Sequence, residues 1–373
     1  MPNPHAVVAT TIQIERPTGE ERAGDAVVSL GDRRIRLAAS DSRSAGFTEV
    51  LEGLARLNHP VYAEIDPDTD TITRLLLPKV GRVLSVDESE GELAVSMDTS
   101  HALLRIPAGD DATELAATLR QARDDRRVVI VTADDSGQII DARELPPGTE
   151  GALPPFVPVG PVERRPGLVP RRPWLRVWPW LWTVIRWPWC WWFCCISASR
   201  AQQVFDAMAG TSCDPLSCPA PCIPFKYPDD GCWGRAHEMC RLMIGMGLRP
   251  RKVWIDCSFG HRLHVATRNN PNCYVEWGWH VAPTLCVRSW FPFAITTMVI
   301  DPSLFTTPVT EATWKGVQGD PAATLTPTGP EIFSHAGGTD PNYTQSDSVL
   351  ATYRLALLNR SNQIGPPPYA NCP

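Results

Sequence analysis

Short apolar runs and acidic turns alternate through the first part of this chain in an order that occurs twice. Between residues of about 28 and 155, a helical stretch at 47–55 is followed by an apolar strand at 61–65, an acidic turn at 66–70 and a strand at 72–77. A second copy has a helical stretch at 112–119, a strand at 128–132, an acidic turn at 133–137 and a strand at 139–145. The strands align at an offset of 67 residues. Helix, strand, turn and strand repeated in tandem predict one α+β domain built by duplication. Asp66, Asp68 and Asp70 alternate as calcium-loop ligands do, but no glycine at the sixth position and no distal glutamate completes such a loop. The turn reads as a solvated hairpin.

The pattern then breaks. Residues 146–173 are rich in proline and glycine and predict an extended, semi-rigid linker. From 173 to 195 the chain carries eight tryptophans: Trp174, Trp178, Trp180, Trp182, Trp187, Trp189, Trp191 and Trp192. Arg176, Arg186, Pro179 and Pro188 interrupt this stretch, so it falls short of the roughly 20 apolar residues a membrane span needs. Indole beside guanidinium suits a membrane interface. The competing reading has the tryptophans packed over the following domain or plugging its cleft. The resulting division is 1–150, an acidic duplicated domain of adaptor, targeting or pro-domain type; 151–198, a linker; and 199–373, a second domain. The tail 339–373 shows one helical patch, 349–358, and no chemistry of its own.

A chain of 373 residues is long enough for two domains, each with its own core. Residues 1–150 carry 27 acidic and 16 basic side chains, whereas the whole chain has a net charge of −6, so the acidity is concentrated at the N-terminal end. Nothing in this distribution is a nucleic-acid footprint. All 12 cysteines lie at or beyond Cys190. That density predicts an oxidising compartment with disulfides among Cys213, Cys218, Cys222, Cys240, Cys257, Cys273 and Cys286. The N-terminus lacks a basic region followed by an apolar one, so no Sec signal peptide is expected. An extracellular or delivered protein is favoured over a cytoplasmic one.

The candidate chemistry lies in 199–373. In the stretch 228–240, Pro228, Asp229, Asp230 and Gly231 precede Cys232, which falls just inside the start of a predicted helix with two aspartates able to cap it. Free N–H groups and the helix dipole at that position favour a thiolate. His280 and Asp301 follow at the edges of predicted strands, and the three read as a thiol triad. His237, five residues after Cys232, is rotated about 140° away from it on the helix. Strand alternation puts Trp277 and Trp279 on one face, with Gly278 and His280 on the other, so that Gly278 leaves space beside the imidazole. Asp301 closes an apolar strand before Pro302, where a side chain can turn inward. Cys257, His261 and His264 have irregular spacings that do not make a zinc site, and neither metal nor cofactor is expected.

Three blocks here resemble the bacterial protein-glutaminases: Cys222 to Cys232 with Arg235-Ala236-His237-Glu238-Met239; His280-Val281-Ala282-Pro283; and Ile300-Asp301-Pro302-Ser303-Leu304-Phe305, followed by Pro308-Val309-Thr310 and Trp314. The resemblance spans about 200–320. It implies a papain-like fold close to the transglutaminase core, with Cys232, His280 and Asp301 as catalytic residues. It further implies glutamine-containing proteins or peptides as substrates, deamidated through a thioester with release of ammonia. Three alternatives share this sequence: a transglutaminase that passes the acyl group to an amine, a membrane-active or binding protein with an incidental triad, and a delivered deamidase toxin or effector.

Overall fold

Apolar residues at helical spacing bury one face of α1 (Ser44–Arg56), where Phe47, Val50, Leu51 and Leu54 point inward. This helix sits among β1 (Ala6–Ala9), β2 (Ile12–Glu15), β3 (Ala26–Leu30), β4 (Arg33–Leu37), β5 (Val61–Ile65) and β6 (Ile72–Leu76). The next elements are β7 (Lys79–Ser89), β8 (Glu92–Met97), β9 (Leu104–Arg105), α2 (Ala112–Asp124), β10 (Val128–Ala133) and β11 (Ile139–Glu144). Beyond the linker come β12 (Ile196–Ser197), α3 (Ala198–Ala209), α4 (Cys232–Gly245), β13 (Arg251–Asp256), β14 (Leu263–Ala266), β15 (Tyr274–Trp277), β16 (Trp279–Trp290), β17 (Phe293–Val299), β18 (Val309–Thr310), α5 (Glu311–Gly316), β19 (Thr324–Thr328) and α6 (Thr344–Ile364). This computed structural model describes residues 5–15, 25–89, 92–109, 112–145, 195–290 and 293–373. The proline-rich linker and the tryptophan-rich stretch up to residue 194 lie outside the described residues.

The architecture is mixed α+β, with several small sheets and six helices among the described residues. β5 pairs antiparallel with β1 on one side and β6 on the other, while β2, β3 and β4 form a separate meander. In the second copy, the hairpin β10–β11 joins β7, β8 and β9 in one five-stranded sheet. The acidic turns are closed by their own first aspartate. Asp66 Oδ1 accepts the Asp68 N–H at 2.8 Å, and Asp134 Oδ1 accepts the Ser136 N–H at 2.9 Å, as Asx turns do. The C-terminal half is organised on a sheet of order β18-β17-β16-β13-β19, to which β12 adds in parallel against β16. α3 and α4 cover one face of it through Val204, Phe205, Met208, Met239 and Met243 against Leu285 and Val287.

Cysteine pairing in the described residues is Cys195–Cys286, Cys213–Cys222 and Cys273–Cys372, leaving Cys218, Cys232, Cys240 and Cys257 free. Cys218, Cys240 and Cys257, expected among the disulfides, are therefore thiols. No helix among the described residues is long and apolar enough to cross a membrane.

The tail departs most from expectation. In place of a short helical patch, α6 runs for 21 residues and fastens the two halves together. Leu357 and Leu358 enter the same apolar cluster as Phe47, Leu51 and Leu54 of α1, with Cys213 and Cys218. That cluster draws on both halves, whereas a second one, with Val83, Val95, Met97, Leu119, Val129 and Val131, lies within the first half alone. A Cβ at Gly53 would stand 2.5 Å from Leu355, so glycine there lets the two helices approach. Asn359 Nδ2 and Gln363 Nε2 donate to the Leu75 carbonyl at 2.7 and 2.8 Å, and Gln363 Oε1 accepts the Leu75 N–H at 3.0 Å. Polar residues between the apolar ones hid this helix in the sequence; they bond across the interface instead of facing water. Arg360, 6% exposed, bonds both oxygens of Asp229 at 2.8 and 2.9 Å and reaches Asp135 of the other half at 2.8 Å. It also lies over the Tyr227 ring.

Removing one member of a buried ion-paired cluster costs about 3–5 kcal/mol. Because Asp229 and Asp135 keep some solvent contact, Arg360→Met is expected to lower unfolding stability by about 3 kcal/mol, at the low end of that range. Urea denaturation of the two proteins measures the difference, and a loss below about 1 kcal/mol, the ceiling for an exposed pair, would show that the pairing is not structural.

Candidate active site

Helix α4 starts at Cys232, and the residue before it, Gly231, holds φ at +80°. A side chain there would be strained by that angle and would also meet the Tyr353 ring 2.3 Å from the Cβ position. The expected aspartate cap does not form: Gly231 is the cap residue and no side chain caps the helix. Asp229 is instead committed to Arg360 and to Asn270 Nδ2, which donates to it at 2.6 Å. Asp230 is fully buried and accepts bonds from Lys79, Ser100 and the His101 N–H, all of the N-terminal half, besides the Gly231 N–H at 2.9 Å.

The structure brings Cys232, His280 and Asp301 into one buried cluster, with each no more than 3% exposed. His280 is the second residue of β16, and Asp301 follows β17 at the adjoining strand end. His280 Nε2 donates to Asp301 Oδ2 at 2.9 Å, and that oxygen also accepts Trp314 Nε1 at 2.9 Å. With Nε2 engaged, His280 has Nδ1 left, which is buried without a hydrogen-bond partner. Simple alternation across 277–280 does not hold. The chain leaves β15 at Trp277 and enters β16 at Trp279, and the break at Gly278 stacks the Trp277 ring on His280 at 4.3 Å between centroids. The space beside Gly278 is taken by Leu103, 3.7 Å from where its Cβ would be.

One residue of the cluster escaped the sequence reading. His101 lies in the connection between β8 and β9, yet its ring is buried against the thiol, with Nδ1 3.2 Å from Cys232 Sγ and 3.1 Å from Asp230 Oδ1. One ring nitrogen from each of His101 and His280, with Cys232 Sγ, lie within 4.8 Å of one another. Trp233, Trp277 and Trp279 surround the His101 ring at centroid distances of 5.2–5.9 Å. Its backbone is held as an added strand: Gly278 N–H donates to the His101 carbonyl at 2.9 Å and Leu103 N–H to the Glu276 carbonyl at 3.1 Å. The only local signal was a lone histidine after an acidic-polar turn, with nothing in the neighbouring residues to connect it to a cysteine 131 positions away. The cleft is thus covered by 100–103 of the N-terminal half, while the tryptophan-rich stretch, for which a membrane-interface role and a plug are the two expectations, lies outside the described residues.

Burial dominates the electrostatics. It pushes the Cys232 thiol well above its usual pKa, aided by the Asp230 and Asp301 carboxylates; Arg235 and the Val281 N–H oppose it without prevailing. The helix start therefore does not ionise the thiol in this closed arrangement, because its dipole acts on a group that water cannot reach. Burial lowers His101 to about 4 against the pull of Asp230, and lowers His280 against that of Asp301. Asp230 is pushed up by burial, but Lys79 and His101 outweigh this and hold its carboxyl well below the usual range. His237 points away from the thiol, as the helical rotation requires: Nε2 meets the Asp340 carbonyl at 3.2 Å and Nδ1 accepts from Lys252 Nζ at 2.8 Å. His264 stacks on Tyr274 and pairs with Glu276, and neither it nor Cys257 belongs to the buried His–Cys–His cluster.

A family of known proteins matches this segment. Residues 201–318 fit a family described as glutaminase. The match covers less than half of the chain and supports a glutamine-deamidating hydrolase. Among solved structures, a crystal structure of pro-protein-glutaminase is 18% identical with a TM-score of 0.48, over 80% of this chain and 99% of that one. The NMR structure of protein-glutaminase from Chryseobacterium proteolyticum is 25% identical with a TM-score of 0.36, over 41% of this chain and 84% of that one. A crystal structure of protein-glutaminase is 23% identical with a TM-score of 0.36, over 48% of this chain and 94% of that one. A comparison with curated proteins found no match. The glutaminase match ends at residue 318, so α6 and the whole N-terminal half lie outside it.

Two outcomes follow. In the intact chain, iodoacetamide at pH 7 is expected to alkylate Cys232 at least about tenfold more slowly than free cysteine, since each pKa unit removes tenfold of thiolate. Peptide mapping gives the rate, and a free-cysteine rate would show that the cleft is open. Lys252, buried under α4, is lowered by burial to about 8. Between pH 8 and its unfolded value the unfolded chain holds the extra proton, so stability rises with pH over that window. The stability of the wild type relative to Lys252→Met is expected to rise there by on the order of 3 kcal/mol; a flat difference would mean that Lys252 titrates normally.

Proposed function

We propose that residues 195–373 hydrolyse the side-chain amide of glutamine in proteins, with Cys232 as nucleophile, His280 as acid and base, and Asp301 as the group that orients His280. The observation that carries this reading is the buried His280–Asp301 bond beside the first residue of α4, inside the segment that fits the glutaminase family. A cysteine-bearing helix packed on an antiparallel sheet that presents His and Asp at neighbouring strand ends supports a papain-like core, close to that of transglutaminases.

In the open enzyme, Cys232 Sγ gives its proton to His280 Nδ1 and attacks the amide carbon of glutamine. His280 returns a proton to the amide nitrogen, ammonia leaves, and a thioester remains on Cys232. Water, deprotonated by the same nitrogen, then attacks the thioester and releases glutamate and the thiol. Asp301 stabilises the imidazolium in both halves, and Trp314 holds the carboxylate from its other side. The oxyanion would face the N–H groups at the start of α4, among them that of Cys232.

The N-terminal half acts as a cover. His101 occupies the space beside Sγ where an amide must enter, so the closed chain is latent. Cutting the connection between residues 146 and 194 would turn an intramolecular cover into a dissociable one, with loss of its effective concentration.

Ammonia release from a blocked glutaminyl peptide and from a glutamine-rich protein tests this. The intact chain is expected to be nearly silent and the nicked chain active; Cys232→Ala abolishes release, and Asp301→Asn lowers it by about 10⁴, the cost of losing the corresponding carboxylate charge in a serine protease. Release that survives Cys232→Ala, or silence of a folded, reduced and nicked wild type, would overturn the assignment. Incorporation of an amine in place of ammonia-only release would turn it into acyl transfer.

A further inference from the structure

The groups that close the cleft also have the make-up of a metal centre. His101 and His280 are buried imidazoles beside a buried thiol, and a nitrogen of each lies with Cys232 Sγ inside a 4.8 Å set. Each ring uses one nitrogen on a buried carboxylate: His280 Nε2 on Asp301 at 2.9 Å, and His101 Nδ1 on Asp230 at 3.1 Å. Each ring leaves its other nitrogen, His280 Nδ1 and His101 Nε2, buried and without a partner. A buried polar atom without a partner costs about 1–3 kcal/mol, so two in one cluster call for an explanation. His280 has the second-sphere arrangement of a zinc ligand, with Nε2–H on a carboxylate and Nδ1 left over, whereas His101 faces both Sγ, at 3.2 Å, and Asp230 through Nδ1.

We infer that the closed chain binds one thiophilic divalent cation of the zinc class between Cys232, His280 and His101. Two ligands come from the C-terminal half and one from the cover, so the ion is bound only while the halves are docked. The donor set of one thiolate and two imidazoles suits tetrahedral Zn²⁺ with a fourth, exchangeable ligand. Binding forms the metal–sulfur bond as the Cys232 S–H proton passes to solvent. It places a positive charge beside the carboxylates of Asp230 and Asp301 and gives His280 Nδ1 a partner. A ligand that binds the closed form alone stabilises it by mass action, so the cation would lock the cover and withhold the thiol at the same time. This inference rests on the cluster's geometry and does not require Cys232 to be a nucleophile.

The test uses the intact, reduced, metal-stripped chain titrated with Co²⁺, followed by Zn²⁺ competition. A sulfur-to-cobalt absorption band in the near ultraviolet, saturating at one equivalent and bleached by Zn²⁺, is expected in the wild type and in Cys257→Ser. The band should be lost in Cys232→Ala and in His101→Ala, each checked for folding by circular dichroism. X-ray absorption of the Zn²⁺-loaded wild type needs no variant and should show one sulfur at about 2.3 Å and two imidazole nitrogens at about 2.0 Å. Absence of the band, its survival in Cys232→Ala or His101→Ala, or a zinc shell without sulfur would each overturn the site. Because no step of the test reads ammonia, its failure would leave the amidohydrolase assignment standing, and loss of that activity would leave the metal site standing.

Discussion

The Asp230 carboxylate has no contact with water, yet it remains charged, and the way it is neutralised governs the rest of the molecule. Its oxygens collect Lys79, the Ser100 hydroxyl and both the backbone and the ring of His101 from one half, and the Gly231 N–H from the other. A buried charge left unpaired is far more costly than any exposed one, so Asp230 is tolerable only with the N-terminal half in place or with water in its stead. Two residues further on is Cys232. The two states available to that carboxylate are therefore two states of the thiol: dry and protonated under the cover, or hydrated and able to ionise without it.

The same arithmetic ties closure to chemistry. His101 is inserted through tryptophans that would otherwise line an open cleft, and its strand-like bonds to Gly278 and Glu276 give the segment a defined register. A cavity of about 430 Å³ remains between the halves, lined by residues such as Arg360, Asp229, Arg74 and Glu64, but Cys232 does not line it. The cover fits tightly at the reacting atoms and loosely farther out. Fixed anchors at Arg360 and Leu75 carry the load between.

Local chemistry made Cys232, His280 and Asp301 legible: a turn of Pro, Asp and Gly before a helix, a histidine at a strand's start, an aspartate before proline. The elements of the first half were legible for a similar reason, since each repeats a short pattern that specifies itself, and α1 and β5 fall where that pattern put them. His101 and the role of Asp230 were not legible, because both are defined by partners more than 100 positions distant. Position alone would make Asp230 a helix cap, and only the burial of the site makes it a hub. α6 was shortened for a different reason. Its Asn, Arg, Ser and Gln residues look like surface, and only the opposite half supplies the acceptors that let them be buried.

The apolar cluster shared by α1, α6 and the Cys213–Cys222 loop bears on how the halves could live apart. Leu357 and Leu358 face α1, so a C-terminal half freed of its cover would present them to water next to Tyr227 and Cys218. A contiguous bare patch of that kind makes a protein adhesive. Liberation of the cleft is thus coupled to the birth of a sticky surface on the opposite side of α6, and whatever opens this molecule also hands it a new place from which to be held.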